Sequence, residues 1–170
     1  MPSESLKAKF LFRKEIHETD EFAVREIVAA TGFFRPDEVD VAAELVRERC
    51  LRGPASGYFF VFAEIEGRTV GYACYGPIAC TIGSFDLYWI AVHPERQGQG
   101  LGRLLMRAAE EQIALAGGRH IYVETSSREQ YRPTRTFYEA HGYRAAATLA
   151  DFYAPGDGKV IYLKAISPAP

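Results

Sequence analysis

The sequence predicts a mixed α/β domain, a strongly twisted mixed sheet of six to seven strands with helices on both faces. Two patterns point there. Apolar periodicity reads as β, α, α, three strands and then αβαββ along the chain. One strand runs through a glycine-rich turn into an amphipathic helix and out to another strand, which requires a parallel crossover between Phe85 and Glu124. Composition agrees, with 48% apolar, 13% aromatic and 25% charged residues.

Each element has its own signal. Lys9–Ile16 alternates as a first strand. Thr19-Asp20-Glu21 is an N-cap cluster ahead of Phe22, Val24, Ile27 and Val28, a helical pattern that stops at Gly32. Pro36-Asp37-Glu38 opens a second helix carrying Val41, Leu45 and Val46 as far as Gly53-Pro54. The apolar run Tyr58–Ile65, the turn Glu66-Gly67-Arg68 and the return Thr69–Tyr75 make a hairpin. Phe85–Val92 is a strand that is apolar except for Asp86. From Gly98 the period becomes helical, with Leu101, Leu104, Leu105, Ala108 and Leu115 on one face and Gly117-Gly118 as the stop. His120–Glu124 is a short strand and Pro133–His141 a helix closed by Gly142. Tyr143–Leu149 and Lys159–Lys164 are strands around the loop 154–158.

The 170 residues suit a single domain, 1–170, with its core at about 9–164. Twenty Lys and Arg against 22 Asp and Glu leave a net charge of −2, which argues against nucleic-acid binding by phosphate neutralisation. No run of about 18 apolar residues offers a membrane span, and residues 1–12 lack the apolar stretch of a signal peptide. Cys50, Cys74 and Cys80 have no paired spacing, and His17, His93, His120 and His141 are scattered, so no metal site is expected. These features fit a cytoplasmic protein.

The most informative stretch is Ile90-Ala91-Val92-His93-Pro94-Glu95-Arg96-Gln97-Gly98-Gln99-Gly100-Leu101-Gly102-Arg103. Glycines without Cβ atoms let several amides point into one concavity, and a helix N-terminus adds about half a positive charge. That is a cradle for a diphosphate. A dinucleotide fingerprint fails because Arg103 stands where its third glycine belongs, and a Walker A loop fails for want of Gly-Lys-Ser/Thr. Gln97-Gly98-Gln99-Gly100-Leu101-Gly102 fits the pattern [QR]xxGx[GA], which holds the pyrophosphate of coenzyme A. A ligand-free turn capping a helix is the structural alternative.

This loop and a second motif, Phe137-Tyr138-Glu139-Ala140-His141-Gly142-Tyr143, resemble the GNAT superfamily of acyl-CoA-dependent N-acyltransferases over most of the chain, from about Lys9 to Lys164. The resemblance implies a GNAT-like fold whose strands splay beside the crossover. It implies acetyl-CoA as the acyl donor and direct transfer to a primary amine within a ternary complex. The acceptor would be a small-molecule amine or a peptide or protein amine. Homodimerisation is compatible with it. A non-catalytic acyl-CoA-binding or sensing module on the same fold is the alternative. The resemblance assigns Ile90, Ala91, Val92, Gln97, Gly98, Gln99, Gly100, Leu101, Gly102, Arg103 and Tyr138 to the cofactor.

An alkyl amine with a pKa near ~10.4 arrives protonated, so the reaction needs a base. Asp86 lies where one branch of the family carries a catalytic Glu. Asp is shorter and would act through a water; it also reads as a strand carboxylate pairing with an arginine or capping a turn. Glu124, placed at a strand end, is the second candidate, and also reads as an anchor for Ser126 and Ser127. Tyr138 is implied as the donor to the departing thiolate, the alternative being aromatic packing. Val92 N–H is implied as the oxyanion donor, and His93 reads as the start of the loop. Arg96, Arg103, Arg128, Arg132 and Arg135 are expected near the phosphates. Asp86, Glu124, Asp151 and Asp157 are expected on the acceptor side, favouring a cationic amine.

Overall fold

The computed structural model describes residues 9–169. The elements are β1 (Leu11–Arg13), α1 (Asp20–Ala30), α2 (Pro36–Arg52), β2 (Phe59–Ile65), β3 (Arg68–Pro77), β4 (Ser84–Val92), α3 (Leu101–Leu115), β5 (His120–Ser126), α4 (Arg132–Ala140), β6 (Arg144–Ala154) and β7 (Asp157–Ala165). The sheet has seven strands in the order β1-β2-β3-β4-β5-β7-β6. The chain divides into two compact units, one holding the residues up to Gly76 with Trp89–Gln112, the other Pro77–Tyr88 with Ile113 onward.

In the first unit, β2 and β3 form an antiparallel hairpin from Phe59↔Tyr75 to Ile65↔Arg68. Glu66 and Gly67 both have positive φ, 52° and 75°, as a two-residue hairpin turn with right-handed strand twist demands. One face of this hairpin carries Phe60, Phe62, Tyr72 and Cys74, which pack with Val24, Ile27 and Val28 of α1 and Val39, Ala42 and Val46 of α2. On the other face a Cβ on Gly71 would lie 3.0 Å from Leu105 and 3.1 Å from the Ala91 carbonyl. Helices thus cover both faces of β3, and Gly71 permits the close approach of α3.

The first strand is shorter than its sequence pattern. Beyond Arg13 the chain turns because Arg13 is pulled inward, binding Asp20 through Nη2 and Nη1 at 2.7 and 2.9 Å and Glu64 through Nε at 2.7 Å. Asp20 is 2% exposed and also accepts from His17 N–H at 2.7 Å. It therefore serves as a buried counter-charge, and Thr19 supplies no side-chain cap to α1.

The buried face of α3 also departs from expectation. Leu101, Leu104 and Leu105 are buried with Met106, Ala109 and Ile113, whereas Leu115 is exposed and Ala108 only half-buried. The helix ends as predicted at Gly117, φ 82°. Gly118 follows because its Cβ would fall 2.3 Å from the Ile113 side chain.

In the second unit, β5 pairs antiparallel with β7 over seven residues, His120↔Ala165 to Ser126↔Lys159. The parallel pairing of β4 with β5 is brief, Ser84↔His120 to Asp86↔Tyr122, and stops while Leu87 and Tyr88 remain extended. The expected loop 154–158 is only a tight turn at Pro155-Gly156, since β6 runs to Ala154 and β7 starts at Asp157. Residues 151–159 accordingly form a hairpin end. Asp151, with φ 52°, closes it by accepting from Gly156 N–H at 2.7 Å.

Candidate active site

Strand β4 ends where His93 N–H donates to the Val70 carbonyl at 2.9 Å. A short 3-10 turn, Pro94–Arg96, follows, and the His93 ring accepts from Glu95 N–H. This makes His93 a loop starter in the structure. Two glutamines then brace the loop with their amides. Gln97 Nε2 donates to the Val92 carbonyl at 3.1 Å, and Gln99 Nε2 to the Glu95 carbonyl at 3.3 Å. Gln99 Oε1 accepts from Lys9 Nζ at 3.3 Å.

Gly98 and Gly100 take φ of 72° and 77°, the left-handed region that a side chain disfavours. Nothing lies within 4 Å of a Cβ at Gly98, so backbone conformation and not crowding selects glycine there. Leu101 is buried and anchors the helix start. Leu104 N–H donates to the Gly100 carbonyl at 3.2 Å, and the amides ahead of it have no intrahelical partner to take them. Arg96 Nε, from the turn, and Arg103 Nε, from the first turn of α3, are buried without a hydrogen-bond partner among the described residues. A buried donor left unmade costs about 1–3 kcal/mol, so the loop carries unmet donors suited to a multiply charged anion. Of the strand residues before it, Ala91 is buried in the core, and Ile90 and Val92 are half-buried.

The second unit gathers the two candidate carboxylates. Register places Asp86 opposite Tyr122 and Ser126 opposite Lys159, so Asp86, Tyr122, Glu124, Ser126 and Lys159 share one sheet face. Glu124 is not the strand end, because β5 continues to Ser126. Its Oε2 lies 2.6 Å from Lys159 Nζ. The Lys159 side chain is only 14% exposed, and its ammonium stands 3.8 Å from the centre of the Phe152 ring. Half-buried Asp86 is held above the usual carboxylate range, first by desolvation and then by Glu124, with Lys159 opposing.

Tyr138 lies on the other side of this sheet half. Its ring is 5.8 Å from that of Tyr162, which alternates away from Lys159 and Ile161. It also meets Phe137 and Tyr143 at 5.8 and 6.0 Å. Burial raises the Tyr138 phenol, keeping it a donor. Neighbouring Tyr162 is pushed up to about 12 by desolvation and by its 2.9 Å bond to Glu139.

Other expected residues do structural work. Asp157 accepts from Ser126 Oγ, while Arg135 Nη1 donates to the Ser126 and Arg128 carbonyls, each at 2.8 Å. Arg132 makes an exposed ion pair with Glu129 at 3.1 Å. An open depression of about 560 Å³ at the start of α4, lined by Glu129, Gln130, Arg132, Pro133 and Thr136, contains none of the three candidate catalytic residues. Sequence reasoning missed Lys159 because its nearness to Glu124 exists only through the β5–β7 register.

The profile of the acetyltransferase (GNAT) domain matches residues 56–145, more than half of the chain. The chain belongs to the GNAT acetyltransferase family. A GNAT relative from Desulfovibrio desulfuricans, assigned to the family as an acetyltransferase, is 49% identical with a TM-score of 0.91, covering 92% of this chain and 98% of that one. An uncharacterised N-acetyltransferase of Methanocaldococcus jannaschii is 31% identical over 62% of this chain, and the match spans 65% of that relative's length. At 20% identity, an aminoglycoside 6′-N-acetyltransferase complexed with coenzyme A shares the GNAT fold at a TM-score of 0.76, covering 94% of this chain and 99% of the other. No helix among the described residues is long and apolar enough to cross a membrane.

Proposed function

We propose that this GNAT protein transfers an acetyl group from acetyl-CoA to a primary amine by direct attack. The observation that carries the reading is the braced glycine loop at the start of α3, with its left-handed Gly98 and Gly100 and the unpartnered buried nitrogens of Arg96 and Arg103. These donors fit a diphosphate. Gln97, Gly98, Gln99, Gly100, Leu101, Gly102 and Arg103 would hold it, and the backbone of Ile90, Ala91 and Val92 would pair with the pantetheine arm as an added strand. Acetyl-CoA supplies the acetyl group as a thioester.

The chain's own residues supply the proton handling. Asp86, raised by burial, takes the proton of the incoming alkylammonium through a water. Glu124 stays on its ion pair with Lys159 and offers a fixed negative charge to a cationic acceptor. Val92 N–H donates to the carbonyl oxygen as negative charge develops there. Tyr138 O–H donates to the departing sulfur; burial keeps that proton in place. Tyr138, Asp86 and Glu124 are thus the catalytic set of this reading, and the acceptor is a small-molecule amine or a peptide or protein amine.

The test is release of free CoA thiol from acetyl-CoA across a panel of amines, amino acids, polyamines and short peptides. Turnover with one amine class confirms the activity and supplies the acceptor. Thermal stabilisation by acetyl-CoA without turnover of any acceptor would favour an acyl-CoA-binding module. Stabilisation by NAD or ATP alone would overturn the reading of the loop.

A further inference from the structure

Lys159, its side chain only 14% exposed, is left by the proposed chemistry without a role of its own. Three strands converge on it. From β5, Glu124 Oε2 approaches to 2.6 Å. From β6, the Phe152 ring lies 3.8 Å away and the Tyr153 ring 5.9 Å. From β4, Asp86 shares the same sheet face and interacts with both Glu124 and Lys159. Ser126, opposite Lys159 in the register, is occupied by Asp157, so Asp157 is not a second carboxylate for this ammonium. An ammonium seated on an aromatic face and against a carboxylate is held by both attractions at once. Its four-carbon stem buries against the hairpin while the charged end is fixed.

We propose that Lys159 is a positioning residue for the transfer reaction, fixing Glu124 as a static counter-charge and leaving Asp86 as the carboxylate that accepts the acceptor's proton. The proposal rests on the acetyltransferase reading and deepens it by separating two carboxylates that share one face. Glu124 is tied down and half-exposed, whereas Asp86 has no ion pair among the described residues. One Glu124 oxygen is engaged by the 2.6 Å ammonium contact, whereas Asp86 is desolvated and has no such partner, which favours Asp86 as the proton acceptor. The tethered ammonium also opposes the raising effect of burial and of Glu124 on Asp86, though it is the smallest of the three influences.

The test follows the Asp86 side-chain carboxyl by ¹³C NMR titration in the protein alone, and the pH profile of kcat/KM by thiol release with the most reactive amine of the panel. Removing the ammonium in Lys159→Met should move the Asp86 midpoint and the acid limb of the profile to higher pH. Glu124→Gln should move both to lower pH. Lys159→Arg keeps the charge and should restore values near those of the unmodified protein. A midpoint that stays in place in Lys159→Met, with Asp86→Asn inactive, would overturn the positioning role while leaving the base assignment standing. Full activity of Asp86→Asn would instead overturn the base assignment, whatever the titration shows. Melting temperature, measured alongside, separates a titration change from loss of fold.

Discussion

Tyr138 and Asp86 are shifted by the same cause, desolvation, with opposite chemical consequences. Withdrawing a phenol from water raises its pKa and preserves a donor. Withdrawing a carboxyl raises its pKa and makes a stronger base. Tyr138→Phe should therefore lower kcat roughly 10- to 100-fold, with acetyl-CoA affinity little changed, because a leaving-group donor acts in the transition state. Steady-state kinetics and a binding titration check the split. For Asp86 the stability linkage has a definite sign. Its folded-state pKa lies above the unfolded value of about 3.9. The stability it contributes is complete below that value and is lost as pH rises through the raised one. Asp86→Asn should accordingly abolish most turnover yet raise the melting temperature at pH 7, the gain shrinking toward pH 3. Calorimetry across that range would show it, and a lower melting temperature at neutral pH would contradict it.

The loop from His93 to Gly100 is a rigid turn, braced at both ends by glutamine amides that donate back to the Val92 and Glu95 carbonyls. Its conformation depends on two residues in the left-handed region, and a branched residue there must distort the turn or leave it. Gly100→Val should lose acetyl-CoA binding by at least about 100-fold, about 2.7 kcal/mol, while circular dichroism stays unchanged. Retained affinity would mean the amides ahead of Leu104 are not the phosphate donors. The hairpin of β6 and β7 holds the proposed counter-charge pair. Its tight turn and bulged register bring Phe152 over Lys159, and the β5–β7 ladder brings Lys159 to Glu124.

At the scale of the whole molecule, each unit has its own means of fixing strands. The first is bound by an aromatic and aliphatic core and by the buried Arg13, Asp20 and Glu64 cluster, which ties β1 to α1 and β2. Removing the cation leaves Asp20, 2% exposed, without its principal partner. Arg13→Met should destabilise the fold by about 3–5 kcal/mol, read from urea unfolding. A change below 1 kcal/mol would show that Asp20 is served well enough by His17 N–H alone. The second unit relies on strand register, with β7 paired on both sides, and places its candidate residues on two faces of the same strands.

Much of this was legible in the chain. The element order, the glycine loop, the hairpin turn at Glu66-Gly67 and the stop at Gly117-Gly118 follow from local chemistry: period, φ preference and capping act over a few residues. The motif residues of the loop are contiguous, so its turn at Gly98 and Gly100 could be read directly. Strand ends proved less readable, as with β1, cut short by Arg13, and β6, extended through Asp151. Those boundaries are set by partners distant in sequence. The same holds for function. Asp86, Glu124 and Tyr138 are candidates that the sequence offers, but which carboxylate is ion-paired and which is not is decided by the tertiary structure. Lys159 lies 35 positions from Glu124 in the chain. Only antiparallel pairing of β5 with β7 brings that ammonium to the carboxylate, because register is a property of two strands together and no single segment carries it.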